Sequence, residues 1–166
     1  MNLYILRHAE AEKEAEAGGD DGRRLTARGR EHTREAAAGM RAMGLRFSAI
    51  LASPLARAAE TADLIAAAYA NDPPPQVLPA LVGAVTPADA LAALGPFSRY
   101  ENLMIVGHEP QLSGLLSLLL AGSSDVVHIR LKKGACVALD LPNRFERGGA
   151  ELRWMMTQRQ LRKLRK

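Results

Sequence analysis

The sequence predicts an α/β fold: a three-layer α/β/α sandwich with a mostly parallel sheet and some antiparallel pairing near the C-terminus. Two observations predict this class. Short apolar runs alternate with longer segments of helical character, and 48% of the 166 residues are hydrophobic, which suffices for one core. The pattern shows no internal repeat and no interdomain linker. We therefore expect one domain over residues 1–157, followed by a basic tail over 158–166.

A strand and a helix are predicted at the start of the chain. The strand covers Asn2–Leu6, where an apolar run stops at a basic residue. After a polar loop rich in Gly and Asp, Thr26 is placed to cap a helix that runs to about Met43 and stops at Gly44.

Ser53 and Pro54 follow the second predicted strand, Ala49–Ala52, and open the next helix. Serine is a good N-cap and proline suits the first helical position, so we expect the helix to begin here and to reach about Ala70. Arg57 then lies in the first turn. There the unpaired backbone N–H groups and the helix dipole favour a bound anion.

The second half of the chain continues the alternation. Thr86, Pro87 and Asp89 have the spacing of a helix start, and this helix is expected to end near Gly95. The other predicted elements are a short strand at Val77-Leu78, a buried strand at 102–106, an apolar helix at 110–120, and strands at 126–131, 135–141 and 151–156, with a turn at Lys133-Gly134.

Cationic or imidazole side chains follow three of the predicted strands. Arg7 and His8 follow the first strand, Arg57 follows the second, and His108 follows the strand at 102–106. Ligands of open α/β sheets bind at the carboxyl ends of the strands, so we expect these side chains to face one point. Arginine binds phosphate oxygens through two hydrogen bonds and a neutral imidazole attacks phosphorus, so the set indicates phosphate chemistry.

The segments LRHAEA, SPLARAAETA and VGHEP, in this order, resemble the motifs of the histidine phosphatase superfamily, and the resemblance covers roughly residues 1–156. Within that superfamily, the short chain and the segment Arg24-Leu25-Thr26 resemble the bacterial phosphohistidine phosphatases that act on phosphorelay proteins. The resemblance implies a phosphoglycerate mutase-like fold. It also implies a two-step phosphoryl transfer that needs no metal and no cofactor.

The resemblance gives each of these side chains a role. His8 attacks phosphorus and forms a phosphohistidine that water then hydrolyses, while Arg7, Arg57 and His108 bind the non-bridging oxygens. Two interpretations of Arg24 stay open. It is either an auxiliary contact for phosphate or for a substrate protein, or a plain solvated charge.

The general acid is the main departure from the family. Many members carry a glutamate in a segment like Leu78-Pro79-Ala80-Leu81, where this chain has Ala80. An imidazole, with a free pKa near ~6.5, leaves phosphorus more easily than an alkoxide, so a missing acid favours a phosphohistidine substrate. Alternatively another carboxyl group supplies the proton. The candidates are Glu109, our first choice because it adjoins His108, and Glu10, Asp20 and Asp21.

Three classes of function are compatible with the sequence. The first is a phosphatase of phosphohistidine on a protein, which is a role in signal transduction. The second is a small-molecule phosphomonoesterase, and the third is a non-catalytic module that binds a phosphorylated partner. The intact set of four side chains disfavours the third class, and a short chain with few insertions disfavours a mutase. The oligomeric state stays open.

Most of the positive charge lies at the end of the chain. The formal net charge is +4, but five basic side chains fall in 158–166, which leaves 17 basic against 18 acidic side chains in the rest. We expect this tail to be a solvated helix end. Contact with RNA, anionic lipid or an acidic partner protein is the alternative. Nucleic acid is therefore not expected to be the main partner.

The remaining observations concern the compartment and metal binding. Cys136, the single cysteine, lies in an apolar run and is expected to be a buried, inert thiol, which fits a reducing cytoplasm. The apolar run at 115–121 is far shorter than the ~20 residues that span a bilayer, and the first residues lack the basic leader of a signal peptide. His32 and His128 match no motif and are expected to be structural or exposed. The histidines and acids have no metal-ligand spacing.

Overall fold

Six strands and five α-helices alternate along the residues that the computed structural model describes, which are 1–13, 19–142 and 144–165. The strands are β1 (Asn2–Arg7), β2 (Ala49–Ala52), β3 (Pro75–Val77), β4 (Asn102–Gly107), β5 (Cys136–Asp140) and β6 (Glu151–Met156). The helices are α1 (Ala27–Ala42), α2 (Ala56–Ala67), α3 (Pro87–Leu94), α4 (Gln111–Ala121) and α5 (Gln158–Lys163), with short 3-10 turns at Pro79–Leu81 and Gly95–Phe97.

The strands form one sheet in the order β3-β2-β4-β1-β5-β6. β1 pairs in parallel with β4 and antiparallel with β5, while β2 pairs in parallel with β3 and β4. β6 lies at the far edge, antiparallel to β5. The prediction of a mostly parallel sheet with antiparallel pairing toward the C-terminus is confirmed.

Helices cover both faces of this sheet, and each face has its own apolar core. Alternate side chains of a strand point to opposite faces. Leu3 and Ile5 of β1 accordingly pack with α3 and α4, whereas Tyr4 and Leu6 pack with α1, α2 and α5. All four side chains are buried, as a central strand between two helix layers requires. The architecture is therefore the predicted three-layer sandwich.

Two of the helix starts are capped as predicted. Thr26 Oγ1 accepts a hydrogen bond from the backbone N–H of Gly29 at 2.9 Å and so caps α1. Thr86 Oγ1 accepts one from the N–H of Asp89 at 3.1 Å and so caps α3. Each cap satisfies a backbone donor of the first helical turn, which a helix cannot pair internally.

The start of α2 differs from the prediction. Its N-cap is Leu55, which has no side-chain cap, and the helix does not begin at Ser53. The Ser53 side chain is fully buried, and its Oγ lies 2.8 Å from Nε2 of His108. The hydroxyl therefore holds a ring from a neighbouring strand end. The helix also ends before the predicted Ala70, whose φ of +59° is not helical.

The predicted strand at 126–131 is wrong, because these described residues form a loop. The backbone N–H groups of Val126 and Val127 donate to the Ser117 hydroxyl instead, at 3.1 and 2.9 Å. Of the apolar side chains in this pattern, Leu131 is buried and anchors the loop, whereas Val126 is 61% exposed.

The basic C-terminal segment forms α5, which packs against α1. Leu161 is fully buried, and a Cβ added to Gly39 would lie only 1.9 Å from the Leu161 carbonyl oxygen, so the two helices approach closely. Arg162 pairs with Glu35 of α1. The segment 158–163 is therefore helical with exposed basic side chains, as expected, but it is docked on α1 through Leu161 and Arg162. The domain boundary at 157 stays a prediction, and Lys166 lies outside the described residues.

Candidate active site

The carboxyl ends of β1, β4 and β2 lie side by side. Arg7 at the end of β1 is in register with Gly107 at the end of β4, and the N–H of His8 donates to the Gly107 carbonyl at 3.1 Å. Ser53 leaves β2 at the same level. As a result, the rings of His8 and His108 are neighbours, with their centroids 5.0 Å apart. The structure thus brings these predicted residues together.

His8 has one ring nitrogen engaged and one available. It is only 5% exposed, and its Nδ1 lies 2.8 Å from the carbonyl oxygen of Ala9. A carbonyl oxygen can only accept, so Nδ1 carries the proton and Nε2 keeps its lone pair, with no hydrogen-bond partner among the described residues. Burial, followed by the charges of His108, Arg57 and Arg7, lowers the pKa of His8 to about 3. The ring is therefore neutral at pH 7.

His108 is buried beside His8 and is held by Ser53. Nε2 of His108 lies 2.8 Å from Ser53 Oγ, whereas its Nδ1 is buried without a partner among the described residues. Burial first, and then the charge of Arg57, lowers the pKa of His108 to about 4. When the Ser53 hydroxyl donates to Nε2, the proton of the neutral ring lies on Nδ1. That nitrogen is then the donor left for a ligand oxygen.

Both predicted arginines have a buried N–H group without a partner. Nη1 of Arg7 donates to the Leu131 carbonyl at 2.9 Å, and Nη1 of Arg57 donates to the Asp20 carbonyl at 2.7 Å. The Nε of each arginine is buried and unpaired among the described residues. Buried donors in proteins are rarely left without an acceptor, so two of them beside two histidines indicate a place for an anion.

Asp20 binds the Arg57 guanidinium as an anionic ligand would. One carboxylate oxygen lies 2.9 Å from Nη2 of Arg57, and the other lies 2.9 Å from Nη1 of Arg23. The hydrogen bond from Arg23, and then the charge of Arg57, lower the pKa of Asp20 below its ordinary value. Asp20 is therefore a carboxylate at neutral pH. A phosphate that binds Arg57 through both Nη groups has to displace it.

Arg23 is a site residue that the sequence reasoning missed. Its side chain is 20% exposed and donates to the Glu12 carbonyl at 2.7 Å. Burial is the main cause that lowers the pKa values of Arg7 and His108, and the nearby charge of Arg23 lowers both further. Arg24, the predicted residue, is exposed, and its side chain makes no hydrogen bond or ion pair with the described residues.

The backbone around Leu25 accounts for this choice. Ala11 and Leu25 form an antiparallel bridge, so the segment before α1 is extended, and side chains of an extended segment alternate in direction. Leu25 is fully buried. Arg23, two residues earlier, therefore points to the same side, and Arg24 points to the other.

The four candidate acids lie in different environments. Glu10 forms a double hydrogen bond with Arg28, which lowers the pKa of Glu10, and Asp20 is held as described above. Asp21 is exposed. Glu109 Oε2 accepts a hydrogen bond from Ser113 at 2.5 Å, while its Oε1 is buried without a partner among the described residues. Glu109 also acts electrostatically on Arg7. Among the four candidates, it is therefore the one that has both an oxygen without a hydrogen bond and a position close to the cationic cluster.

The remaining residues singled out by the sequence lie outside this cluster. His128 is exposed, His32 is half-buried on α1, and Cys136 is a free, buried thiol whose pKa is raised by burial. Within the described part of the chain, no three histidine, cysteine, aspartate or glutamate side chains group as metal ligands would. No helix of that part is long and apolar enough to cross a bilayer.

Comparison with known proteins identifies the family. Residues 3–82, which include Arg7, His8 and Arg57, match the sequence profile of the histidine phosphatase superfamily, branch 1. The chain belongs to the histidine phosphatase superfamily. An uncharacterized protein of Picosynechococcus sp. is 36% identical to this histidine phosphatase over 145 residues, which are 84% of each chain.

Solved structures show the same fold over nearly the whole length. The protein histidine phosphatase SixA, solved with tungstate, has a TM-score of 0.85 at 21% identity, and the match covers 97% of the present chain and 99% of SixA. The alpha-ribazole phosphatase of Shigella flexneri has a TM-score of 0.74 at 21% identity, with 95% and 97% covered. The fold is therefore phosphoglycerate mutase-like, as the sequence resemblance implied.

Ala80, in the place where the sequence resemblance leads us to expect a glutamate, lies on the stretch of chain that borders the candidate site. It belongs to the 3-10 turn that follows β3, and its carbonyl accepts a hydrogen bond from Gln111 at 2.8 Å. Three residues later, Gly83 faces His108, whose Cβ would be 3.2 Å from a Cβ added to Gly83. The methyl group of Ala80 brings no proton to this border of the site.

Proposed function

We propose that this histidine phosphatase hydrolyses phosphohistidine on a protein of a phosphorelay, through a phosphoenzyme formed at His8. The observation that carries the proposal is the state of the His8 ring, which is neutral, held at Nδ1 by Ala9 and free at Nε2. A neutral imidazole is a nucleophile, whereas a protonated one has no lone pair to offer. The neighbouring Arg7 and Arg57 supply the positive charge that draws a phosphoryl group to it.

In the first step, Nε2 of His8 attacks phosphorus in line with the bond to the substrate imidazole. A P–N bond to His8 forms while the P–N bond to the substrate breaks, and the substrate imidazole, whose other ring nitrogen carries a proton, departs as a neutral ring with the electron pair of the broken bond. Arg7 and Arg57 bind the non-bridging oxygens, and His108 donates a hydrogen bond from Nδ1. Positive charge grows on the His8 ring during this step. The Ala9 carbonyl, which accepts the Nδ1 hydrogen bond, stabilises that charge.

In the second step, a water oxygen attacks phosphorus on the side opposite to His8. The bond between phosphorus and Nε2 breaks, inorganic phosphate forms, and His8 returns to its neutral state. Because such transfers depend mainly on positioning and on charge stabilisation, the contribution of the protein is the fixed set of donors around His8.

The border of the site at Ala80 supports a phosphohistidine substrate. A phosphate ester leaves an alkoxide that needs a proton, whereas the imidazole of phosphohistidine leaves with a free pKa near ~6.5. Glu10 and Asp20 are engaged by arginines, which keeps both carboxyl groups charged. The match in fold to SixA, a protein histidine phosphatase, points the same way.

One observation favours a small-molecule phosphomonoesterase as the second candidate. Oε1 of Glu109 is buried and unpaired among the described residues, and the carboxyl group lies near enough to Arg7 to influence it. In this candidate function, the Glu109 carboxyl group is the one assigned to supply the proton that an alkoxide needs. The alpha-ribazole phosphatase of similar fold acts on a different substrate from SixA, so the fold serves more than one substrate.

A substrate panel separates the two candidates. Purified protein is assayed with a phosphohistidine-bearing protein domain, free phosphohistidine, phosphoserine, a sugar phosphate and nitrophenyl phosphate, each beside His8→Ala. We expect kcat/KM to be highest for the phosphohistidine protein, and an acid-labile, base-stable phosphoenzyme to form in the wild type and be missing from the variant. Faster turnover of the esters would favour the second candidate. Equal activity of wild type and His8→Ala would remove the proposed mechanism altogether.

A further inference from the structure

A second feature of the surface, outside the phosphate site, is a groove of about 730 Å³ between α5 and the turn before β5. No carboxylate is among its described lining residues. Six cationic side chains line it, namely Lys132, Lys133, Arg159, Arg162, Lys163 and Arg165. We call this surface the basic groove. Four of the six belong to the C-terminal segment 158–166, and the remainder of the chain has a formal net charge of −1 even with Lys132 and Lys133 included.

The basic groove adjoins the phosphate site through a tight turn. The N–H of Gly134 donates to the carbonyls of both Arg7 and His8 at 3.1 Å. On its other side Gly134 touches α5, since a Cβ added to it would lie 2.5 Å from Cδ of Gln158. Burial, followed by the charges of Arg23 and Arg7, lowers the pKa of Lys133, so this lysine is within electrostatic range of the phosphate site. The turn at Lys133-Gly134 therefore lies between His8 and α5.

Four of the six cationic side chains in the groove form no ion pair within the described chain, although the Glu10 carboxylate acts electrostatically on Lys133. Glu35 of α1 pairs with Arg162 and Arg165. The other four cationic side chains have no hydrogen bond or ion pair with the described residues, and all four are exposed: Lys132, Lys133, Arg159 and Lys163. Uncompensated like charges on one surface repel each other and attract an anionic partner.

We propose that the basic groove binds an acidic face of the phosphorylated protein and so selects protein substrates over small phosphates. This inference rests on the proposed function. A protein that presents phosphohistidine to His8 has to lie over the surface around that residue, and the basic groove adjoins that surface through Lys133 and Gly134. A nucleic acid fits less well, because nothing in a uniform phosphate backbone requires a basic groove to adjoin a nucleophilic histidine.

The test reverses charge in the groove at a distance from the phosphate site. Arg159→Glu/Lys163→Glu changes two exposed, unpaired side chains of α5. The matched control is Arg144→Glu/Arg147→Glu, two exposed arginines beside α3 on the opposite face of the sheet. The substrates are a phosphotransfer domain phosphorylated on histidine, the same domain with surface Glu→Gln changes around that histidine, and free phosphohistidine. Circular dichroism of both variants checks the fold.

We expect the groove variant to raise KM for the acidic phosphoprotein about tenfold at low salt, with kcat unchanged and with free phosphohistidine hydrolysed as by wild type. The Glu→Gln domain should lose this sensitivity, and the control variant should behave as wild type. An equal rise in KM of the groove variant for free phosphohistidine would overturn the inference. So would an equal rise in KM of the control variant for the phosphoprotein. So would competition by single-stranded RNA at lower concentrations than by the unphosphorylated domain.

The two proposals fail separately in this experiment. If wild type hydrolyses no phosphohistidine, the proposed function is wrong, and calorimetry of the acidic domain with His8→Ala still tests the groove. Binding that the two reversals weaken about tenfold would uphold the groove as an acidic-protein surface. Binding that they leave unchanged would overturn it, whatever the reaction proves to be.

Discussion

Lowering the pH from 7 to 4.5 tests the state of the His8 ring, on which the nucleophile depends. The pKa of His8 lies at about 3, because the ring is buried and faces other cationic or ionisable groups. A free histidine, with a pKa of ~6.5, is about 99% protonated at pH 4.5. With its lowered pKa, His8 in the folded protein stays about 97% neutral at that pH.

The difference between the pKa of His8 in the folded protein and that of a free histidine makes the stability of the fold sensitive to acid. The folded state rejects a proton that the unfolded chain takes up, so the stabilisation is complete above pH ~6.5 and is lost as the pH falls toward 3. At 1.36 kcal/mol per pKa unit, the two units between pH 6.5 and 4.5 correspond to about 2.7 kcal/mol in the free energy of unfolding. His8→Asn cannot bind this proton. Its free energy of unfolding should therefore fall about 2.7 kcal/mol less than that of wild type between pH 7 and 4.5.

Two assays measure these quantities. Proton NMR follows the His8 ring, assigned by comparison with His8→Asn, from pH 8 to 4, and urea unfolding at pH 7 and 4.5 gives the free energies. His128→Asn, at an exposed position, controls for the loss of a histidine as such. A His8 signal that titrates between pH 6 and 7, or the same pH dependence of unfolding in wild type and His8→Asn, would refute the reasoning from burial and charge.

Three further changes test the surroundings of His8. Asp20→Asn removes the carboxylate that binds Arg57, so the inhibition constant of inorganic phosphate should fall about fivefold; a large drop in kcat would instead mark Asp20 as a catalytic acid. Arg23→Ala should raise KM for a phosphate substrate about tenfold, whereas Arg24→Ala should change it less than about twofold, because only the Arg23 side chain faces the cluster. Equal effects of the two variants in steady-state kinetics would contradict this. Ala80→Glu should raise kcat for an alkyl phosphate about tenfold or more by supplying a proton, and an unchanged kcat would show that a missing acid does not limit ester hydrolysis.

Much of the fold follows from local sequence patterns. The strands at Ala49–Ala52 and Glu151–Met156 have the bounds predicted for them, and Thr26 and Thr86 cap helices as their sequence context indicates. Such features depend on residues a few positions apart, because a cap or an apolar run is recognised within one helical turn or one strand. The order of cationic residues after strands likewise allowed the meeting of His8 with His108 to be predicted, since parallel strands align their carboxyl ends.

Features that depend on distant partners were not predictable in this way. Ser53 has the chemistry of an N-cap, yet its hydroxyl holds His108, which is 55 residues away in the chain. Residues 126–131 have the pattern of a strand, but the backbone N–H groups of Val126 and Val127 donate to the Ser117 hydroxyl of α4. In each case the local pattern predicted the wrong element, and a partner outside that pattern engages the polar group.

By itself, the sequence determined the layers, the strand ends and the four side chains that follow them, because apolar periodicity and turn chemistry act over short distances. Tertiary structure decided which groups face those side chains. In the folded chain, Arg23 rather than Arg24 faces the site, Asp20 forms an ion pair with Arg57, and α5 packs beside the turn that contains Gly134. These outcomes depend on burial and on charges separated by many residues, and both are established only when the chain is folded.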